Sequence, residues 1–204
     1  LSQASQMKVN IPSGAIGTVG QPLSIDTGLL AFTAASDTFI DLSGAATVAG
    51  NSTAGAVAID MIGMGNLTVD VVTVDSLNRI GLTSTGAPIG IFAQTNNGTI
   101  LLNEAVIANS GSVLLNATGN VTHAAAGDVA VSGAGTITVN ANVGSITMDP
   151  ATAYTTAGCS TTLNASINIA FRHVSVVVVS IFIDASVGNI TKNTVDPAVN
   201  LSGG

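Results

Sequence analysis

Large rings and charge are what this sequence has least of. Its 204 residues include no tryptophan, one tyrosine and five phenylalanines, so aromatics make up 3% of a chain that is 47% hydrophobic. A globular core of this size normally uses more large rings, and an interior of Val, Ile, Leu and Ala points instead to a thin coil. Charged residues are 7%, four cationic against eleven acidic, for a net charge of −7. That balance argues against nucleic acid as a partner, because phosphate contacts need clustered Lys and Arg, whereas Lys8, Arg79, Arg172 and Lys192 are scattered. Scarce charge does not mean disorder here, since mean hydropathy is +0.60. Long apolar runs are missing too: the longest, Val174 to Ile183, is ten residues with two serines. It is too short to span a bilayer as a helix, and is a candidate aggregation segment if its edge is bare. Cys159 is the only cysteine, which removes an internal disulfide and a thiolate metal cluster and leaves a small buried or turn residue. No stretch combines apolar three-and-four spacing with helix caps.

What the chain does have is a repeated phrase. Gly, any residue, apolar, any residue, apolar, then Asn, Asp or Ser occurs as GAVAID at 55, GNLTVD at 65, GTILLN at 98, GSVLLN at 111, GDVAVS at 127, GTITVN at 135 and GSITMD at 144. Residues two apart on a strand face the same side, so Val113 with Leu115, Val129 with Val131, Ile137 with Val139 and Ile146 with Met148 are expected to look inward. Leu114, Ala130, Thr138 and Thr147 are expected to look out. The glycine and the small polar residue after it read as a tight corner where φ can be positive.

A strand with two inward side chains cannot bury enough surface alone. Short units that recur this closely, with no helix-sized pattern between them, fit a coil of stacked parallel turns, a β-solenoid. A longer echo supports it: GSVLLNATGNVT at 111 returns as CSTTLNASINIA at 159 and again as VSIFIDASVGNIT at 179. Turns of roughly 20–24 residues then give about nine turns and a rod on the order of 40 Å. The expectation is one elongated domain over residues 1–204. LSQASQMKVN carries no signal peptide or initiator Met and LSGG reads like a further corner, so the chain is read as a segment of a longer repetitive protein.

Residues 1–15 are expected to form a lead-in strand around Val9 and Ile11, and Pro22 to sit at a strand start. Over 29–48 the inward positions are either Phe39, or Ile40 with Leu42. The parity change between Val71 and Val72 predicts a corner or bulge, and residues 76–97, with Arg79 and Pro88, a longer loop with two strands. Residues 159–183 are the anomaly: corner glycines 111 and 119 become Cys159, then Val179, and Ile167. β-branched residues resist positive φ, so these corners either use another geometry or are irregular turns.

The phrases GAIGTVGQPLSID, GNLTVD, LLNATGNVTHAAAGDVAVSGAGTITVNANVGSITM and GNIT resemble the filamentous-haemagglutinin-type repeats of very large bacterial adhesins and surface proteins, over most of residues 14–204. The resemblance implies a right-handed parallel β-helix, export across the bacterial envelope to the cell surface or medium, and a stalk or adhesive role.

Chemistry is sparse. Right-handed β-helices also host polysaccharide lyases and hydrolases, whose sites need carboxylates converging on one groove. Asp60, Asp70 and Asp75 are the closest acidic group and Asp37 with Asp41 the next, but Asp60 and Asp70 end phrases where Asn103, Asn116 and Asn140 also occur, and a corner hydrogen-bonding role suffices. His123 and His173 stand far apart in the chain, consistent with surface histidines stacked two turns apart and too distant for shared metal ligation. The calcium-binding Gly-Gly-any-Gly-any-Asp repeat does not occur, and Thr136 with Thr138 is an isolated pair. Sequons begin at Asn51, Asn66, Asn97, Asn116, Asn120, Asn164, Asn189 and Asn200, where polar corners with stacked asparagines are the simpler reading. No catalytic, cofactor-binding or metal-binding residue is assigned. The leading expectation is a non-catalytic structural segment of an extracellular adhesin or surface fibre. The alternatives are a filament subunit stacking end to end and a polysaccharide-active β-helix enzyme. Partners are expected to be other copies of itself or neighbouring repeats, and host-surface or matrix glycans, with no nucleic acid and no membrane span.

Overall fold

The computed structural model describes residues 4–95, 97–157, 159–176 and 180–192. Over them the chain is all-β, with no helix, and coils as a parallel β-solenoid. One sheet forms a continuous first face from eight strands: Leu23–Ile25, Thr38–Leu42, Val57–Met61, Ile89–Ala93, Val113–Ala117, Ile137–Ala141, Thr161–Ala165 and Ile181–Ala185. The described coil thus has about eight turns rather than the nine expected, because turn length varies. The steps from Ile89 to Val113, to Ile137 and to Thr161 are equal, whereas the step from Val57 to Ile89 is longer.

A second, larger sheet wraps the other side of the coil. Near the N-terminus its strands are long: Ala4–Ile11, Thr27–Ala34 and Ala46–Ser52 pair in parallel. Ala4–Ile11, expected as a lead-in strand, is therefore part of the coil. At Ala46–Ser52 the sheet forks. Ala46 to Val48 pair with Asn66–Val69, which begins a second face continuing through Thr99–Leu102, Val121–His123, Ile146–Thr147, Ile169–Phe171 and Ile190–Lys192. Gly50 to Ser52 pair with Leu82–Ser84, which begins a third face of Val106–Ala108, Val129–Val131, Ala153–Thr156 and His173–Val176.

The fork is made by a hairpin that begins where the parity change predicted a corner or bulge, the chain turning a corner at Asp70, and this insertion lengthens the turn between Val57 and Ile89. Val71–Val74 and Leu77–Ile80 pair antiparallel about Asp75 and Ser76, both left-handed with φ of 46° and 66°. The hairpin leaves the coil and folds over its outside, where Val72, Val74 and Leu77 cover Ala31 and Ala49. Lys8 Nζ donates to the Asp75 carbonyl at 3.1 Å, and Arg79 Nε donates to Thr33 Oγ1 at 3.0 Å. Residues 76–97 consequently hold three strands rather than two, with Pro88 directly before the last.

The inward positions follow the phrase. Val113, Leu115, Val129, Ile137, Val139, Ile146 and Met148 are fully buried and Val131 nearly so. Between residues 29 and 48 the inward pair is Ile40 and Leu42, and Phe39 faces out. On the first face the interior is a set of columns, one of which runs Ile59, Ile91, Leu115, Val139, Leu163 and Ile183. Each fully buried aliphatic side chain contributes about 1.5–3 kcal/mol relative to exposure.

The corners divide: Gly65 and Gly111 have the positive φ that the phrase allows, and the other glycines that open a phrase do not. Among the described glycines only Gly17, Gly65, Gly81 and Gly111 have positive φ. At Gly127, Gly135 and Gly144 the constraint is stacking: a Cβ would run into the carbonyl of Leu102, Gly111 or Gly119 in the turn below. Ile167 takes an ordinary φ at the place of Gly144. Within 159–183, Thr161–Ala165 pairs in full register with both neighbours. The following turn, from Thr161 to Ile181, is shorter, and only Arg172 separates Phe171 from His173 in it. Of the two explanations for this segment, a different corner geometry holds over its described part; the corner at Val179 lies outside the described residues. Of the run from Val174 to Ile183, Val174 to Val176 belong to the third face and Ile181 to Ile183 to the first, and residues 177–179 lie outside the described residues.

Candidate functional site

The outward side of the first face is where the repeat accumulates polar chemistry. In register, one outward column runs Asp41, Asp60, Phe92, Asn116, Asn140, Asn164 and Asp184. Its middle is an amide ladder: Asn164 Nδ2 donates to Asn140 Oδ1 at 2.9 Å, and Asn142 Nδ2 donates to Asn116 Oδ1 at 3.1 Å. The stacked asparagines expected from the sequence are thus present, Asn116, Asn140 and Asn164 on a sheet face and Asn142 at the corner that follows, and Asn120 keeps the expected corner role, its Oδ1 accepting from Ser145 N at 2.8 Å.

Where the column turns acidic, a groove of about 250 Å³ opens, lined by Val19, Pro22, Phe39, Ile40, Asp41, Ala58, Asp60 and Phe92. One wall is a tight loop in which Thr18 N donates to the Gln21 carbonyl at 2.9 Å and Gln21 N returns a bond to the Thr18 carbonyl at 3.1 Å. Gly17 starts it with φ 64°, and a Cβ there would lie 2.7 Å from Leu23 N, so only glycine fits. The opposite wall is Phe92. Its ring folds back along its own strand over Gly90, where an added Cβ would lie 2.7 Å from Cε2 and 2.9 Å from Cζ. The missing side chain at Gly90 is what lets the ring lie against the sheet.

Asp41 and Asp60 are partners on adjacent strands, spaced about 4.8 Å as backbone. Partial burial, and then the neighbouring Asp41 charge, hold the Asp60 carboxyl above the usual carboxylate range. Neither carboxylate has a hydrogen-bond or cationic partner among the described residues. The corner role expected for Asp60 therefore does not apply.

It does apply to Asp70, whose Oδ1 accepts from Val71 N and Oδ2 from Asn103 Nδ2, both at 2.7 Å. Asp75 lies in the hairpin turn, and Asp37 Oδ1 accepts from Ala56 N at 2.8 Å at a corner. The acidic group expected around Asp60, Asp70 and Asp75 is thus divided, and so is the pair Asp37 and Asp41. The pair that forms, Asp41 with Asp60, needed the register between their strands to be seen.

The histidines depart from expectation. His173 is exposed on the third face, but His123 is buried on the second, inward in one column with Leu102 and Met148. Its Nδ1–H donates to the Gly127 carbonyl at 2.7 Å, which leaves Nε2 to accept from the Tyr154 hydroxyl at 2.5 Å. The two rings meet edge to face, 5.0 Å between centroids. Burial pushes the His123 pKa from 6.5 down to about 4 and the Tyr154 phenol up, so both are neutral. The Gly127 carbonyl and Asp128 oppose the histidine shift without cancelling it. Enclosed on all sides and bonded to each other, the two side chains belong to the core.

Cys159 is free and half-buried, its carbonyl accepting from Thr156 Oγ1 at 2.5 Å. Of the sequon asparagines, Asn66, Asn97, Asn120 and Asn189 are exposed, Asn51, Asn116 and Asn164 half-buried, and Asn200 lies outside the described residues. Among the described residues no three His, Cys, Asp or Glu side chains come together to hold a metal ion, and no helix is long and apolar enough to cross a membrane. What the groove can do chemically is accept hydrogen bonds at two carboxylates beside an aromatic surface. Compared with protein-family models, with curated proteins and with solved structures, the chain matches none.

Proposed function

We propose that this chain is a structural segment of an extracellular adhesin or bacterial surface fibre, whose work is length, stiffness and surface presentation. One observation carries the reading: the first-face columns run from Leu23–Ile25 to Ile181–Ala185 without a change of strand direction. Each turn adds backbone hydrogen bonds to both neighbours and extends the same columns, so stiffness grows with repetition. The partners of such a segment are neighbouring repeats or copies of itself, and glycans of a host surface or matrix. The test is protease shaving and antibody labelling of intact cells that make the natural protein. Labelling that shaving removes is the expected result; a chain protected inside intact cells overturns the proposal.

A polysaccharide-active enzyme is the second reading, favoured by the raised pKa of Asp60 beside Asp41. A carboxyl that holds its proton to higher pH is suited to protonating a leaving glycosidic oxygen. New reducing ends or unsaturated products released from a polysaccharide, and lost in Asp60→Asn, would establish it; silence across a broad screen retires it.

A further inference from the structure

We infer that the groove between Phe92 and the Val19–Pro22 loop binds a neutral sugar unit of a polysaccharide. The inference deepens the surface-segment reading, and rests on it for context, by naming a site and a ligand class. Three observations meet here. Phe92 lies back over Gly90, and its ring forms one face of the groove. Sugar rings carry an apolar C–H surface that packs on such a face, while their hydroxyls remain at the rim. At that rim stand Asp60, one strand below Phe92 in register, and Asp41, one strand further. Both carboxylates lack a protein donor among the described residues, and sugar hydroxyls are donors of the right kind for two acceptors in line. Asn116, on the strand above Phe92, adds an amide on the other side of the ring.

The same arrangement selects among ligands. An acidic sugar would bring a further negative charge to two unneutralised carboxylates in a chain of net charge −7. A metal ion would find two carboxylates where three or more ligands are wanted, beside an apolar wall. A cationic ligand would be held by charge, and that attraction would fall steeply with salt.

Binding of the intact chain to soluble β-glucan, mannan, galactan, polygalacturonate and chitosan, at low salt and in about 1 M NaCl, separates these. The expected result is retention by at least one neutral polymer, changed less than about twofold by salt. It should be weakened about tenfold or more in Phe92→Ala, kept in Phe92→Tyr, and weakened in Asp60→Asn. Phe92 faces outward, and unchanged circular dichroism and melting of each variant confirm that the coil is intact. Binding to no neutral polymer, binding indifferent to Phe92→Ala, or binding only to chitosan and erased by salt would overturn the inference. The surface reading fails separately: a surface-exposed chain that binds no glycan keeps the segment and loses the site, and a glycan-binding chain confined within cells does the reverse.

Discussion

Gly135 has no side chain because the carbonyl of Gly111 stands where one would begin. Its φ is ordinary, so what the position demands is space between turns rather than conformational freedom. Gly135→Ala should lower stability by about 1–3 kcal/mol, read as a shift of the urea midpoint. Gly44→Ala, at a corner with nothing within 4 Å of the new methyl, should stay within about 0.5 kcal/mol. Equal midpoints for the two would mean that stacking does not constrain Gly135. His123 gives a second residue-scale prediction. Its folded pKa, about 4, lies below the unfolded 6.5. Above pH 6.5 it is neutral in both states and has no effect. As pH falls from 6.5 to 4 the unfolded chain takes up the proton first, so the fold loses stability, about 3 kcal/mol in all. The double variant His123→Leu, Tyr154→Phe removes both polar partners and should flatten this slope in urea titrations across the window; an unchanged slope would place the titrating group elsewhere.

At the scale of the strand, the first-face columns are apolar except at two rungs. Thr38 and Thr161 are inward and buried, and neither Oγ1 has a hydrogen-bond partner. Their neighbours in the column are Val57, Ile89, Val113 and Ile137. Thr161→Val replaces an orphaned hydroxyl with a methyl of the same shape and should raise stability by about 1–2 kcal/mol in the same urea assay; a loss would show that the hydroxyl is satisfied. Strands were the level most legible in the sequence, because period two and a glycine corner are local signals. Ile40 and Leu42 against Phe39 could not be decided locally, and only pairing with Val57–Met61 fixes the parity. The hairpin was hidden because Asp75 and Ser76 adopt positive φ without a glycine to mark them. The inward place of His123 was readable, two residues after Val121, but its partner Tyr154 lies far along the chain on another face. The groove was less legible still, since Val19, Asp41, Asp60 and Phe92 meet only once turns of unequal length are laid over one another.

Over the described residues, eight first-face strands spaced about 4.8 Å give a rise of roughly 34 Å from the first to the last. The solenoid depends on one register, in which Leu114, Thr138 and Thr162 stack outward on successive turns. Spin labels report that stacking directly. In a Cys159→Ser background, labels placed in pairs at Leu114 and Thr138, and at Thr138 and Thr162, should show strong spin–spin broadening. A pair at Leu114 and Ala130, which lie on different faces, should give the sum of its single-label spectra. If the stacked pairs instead match the sum of their singles, the turns are not in the register described and the solenoid account is contradicted.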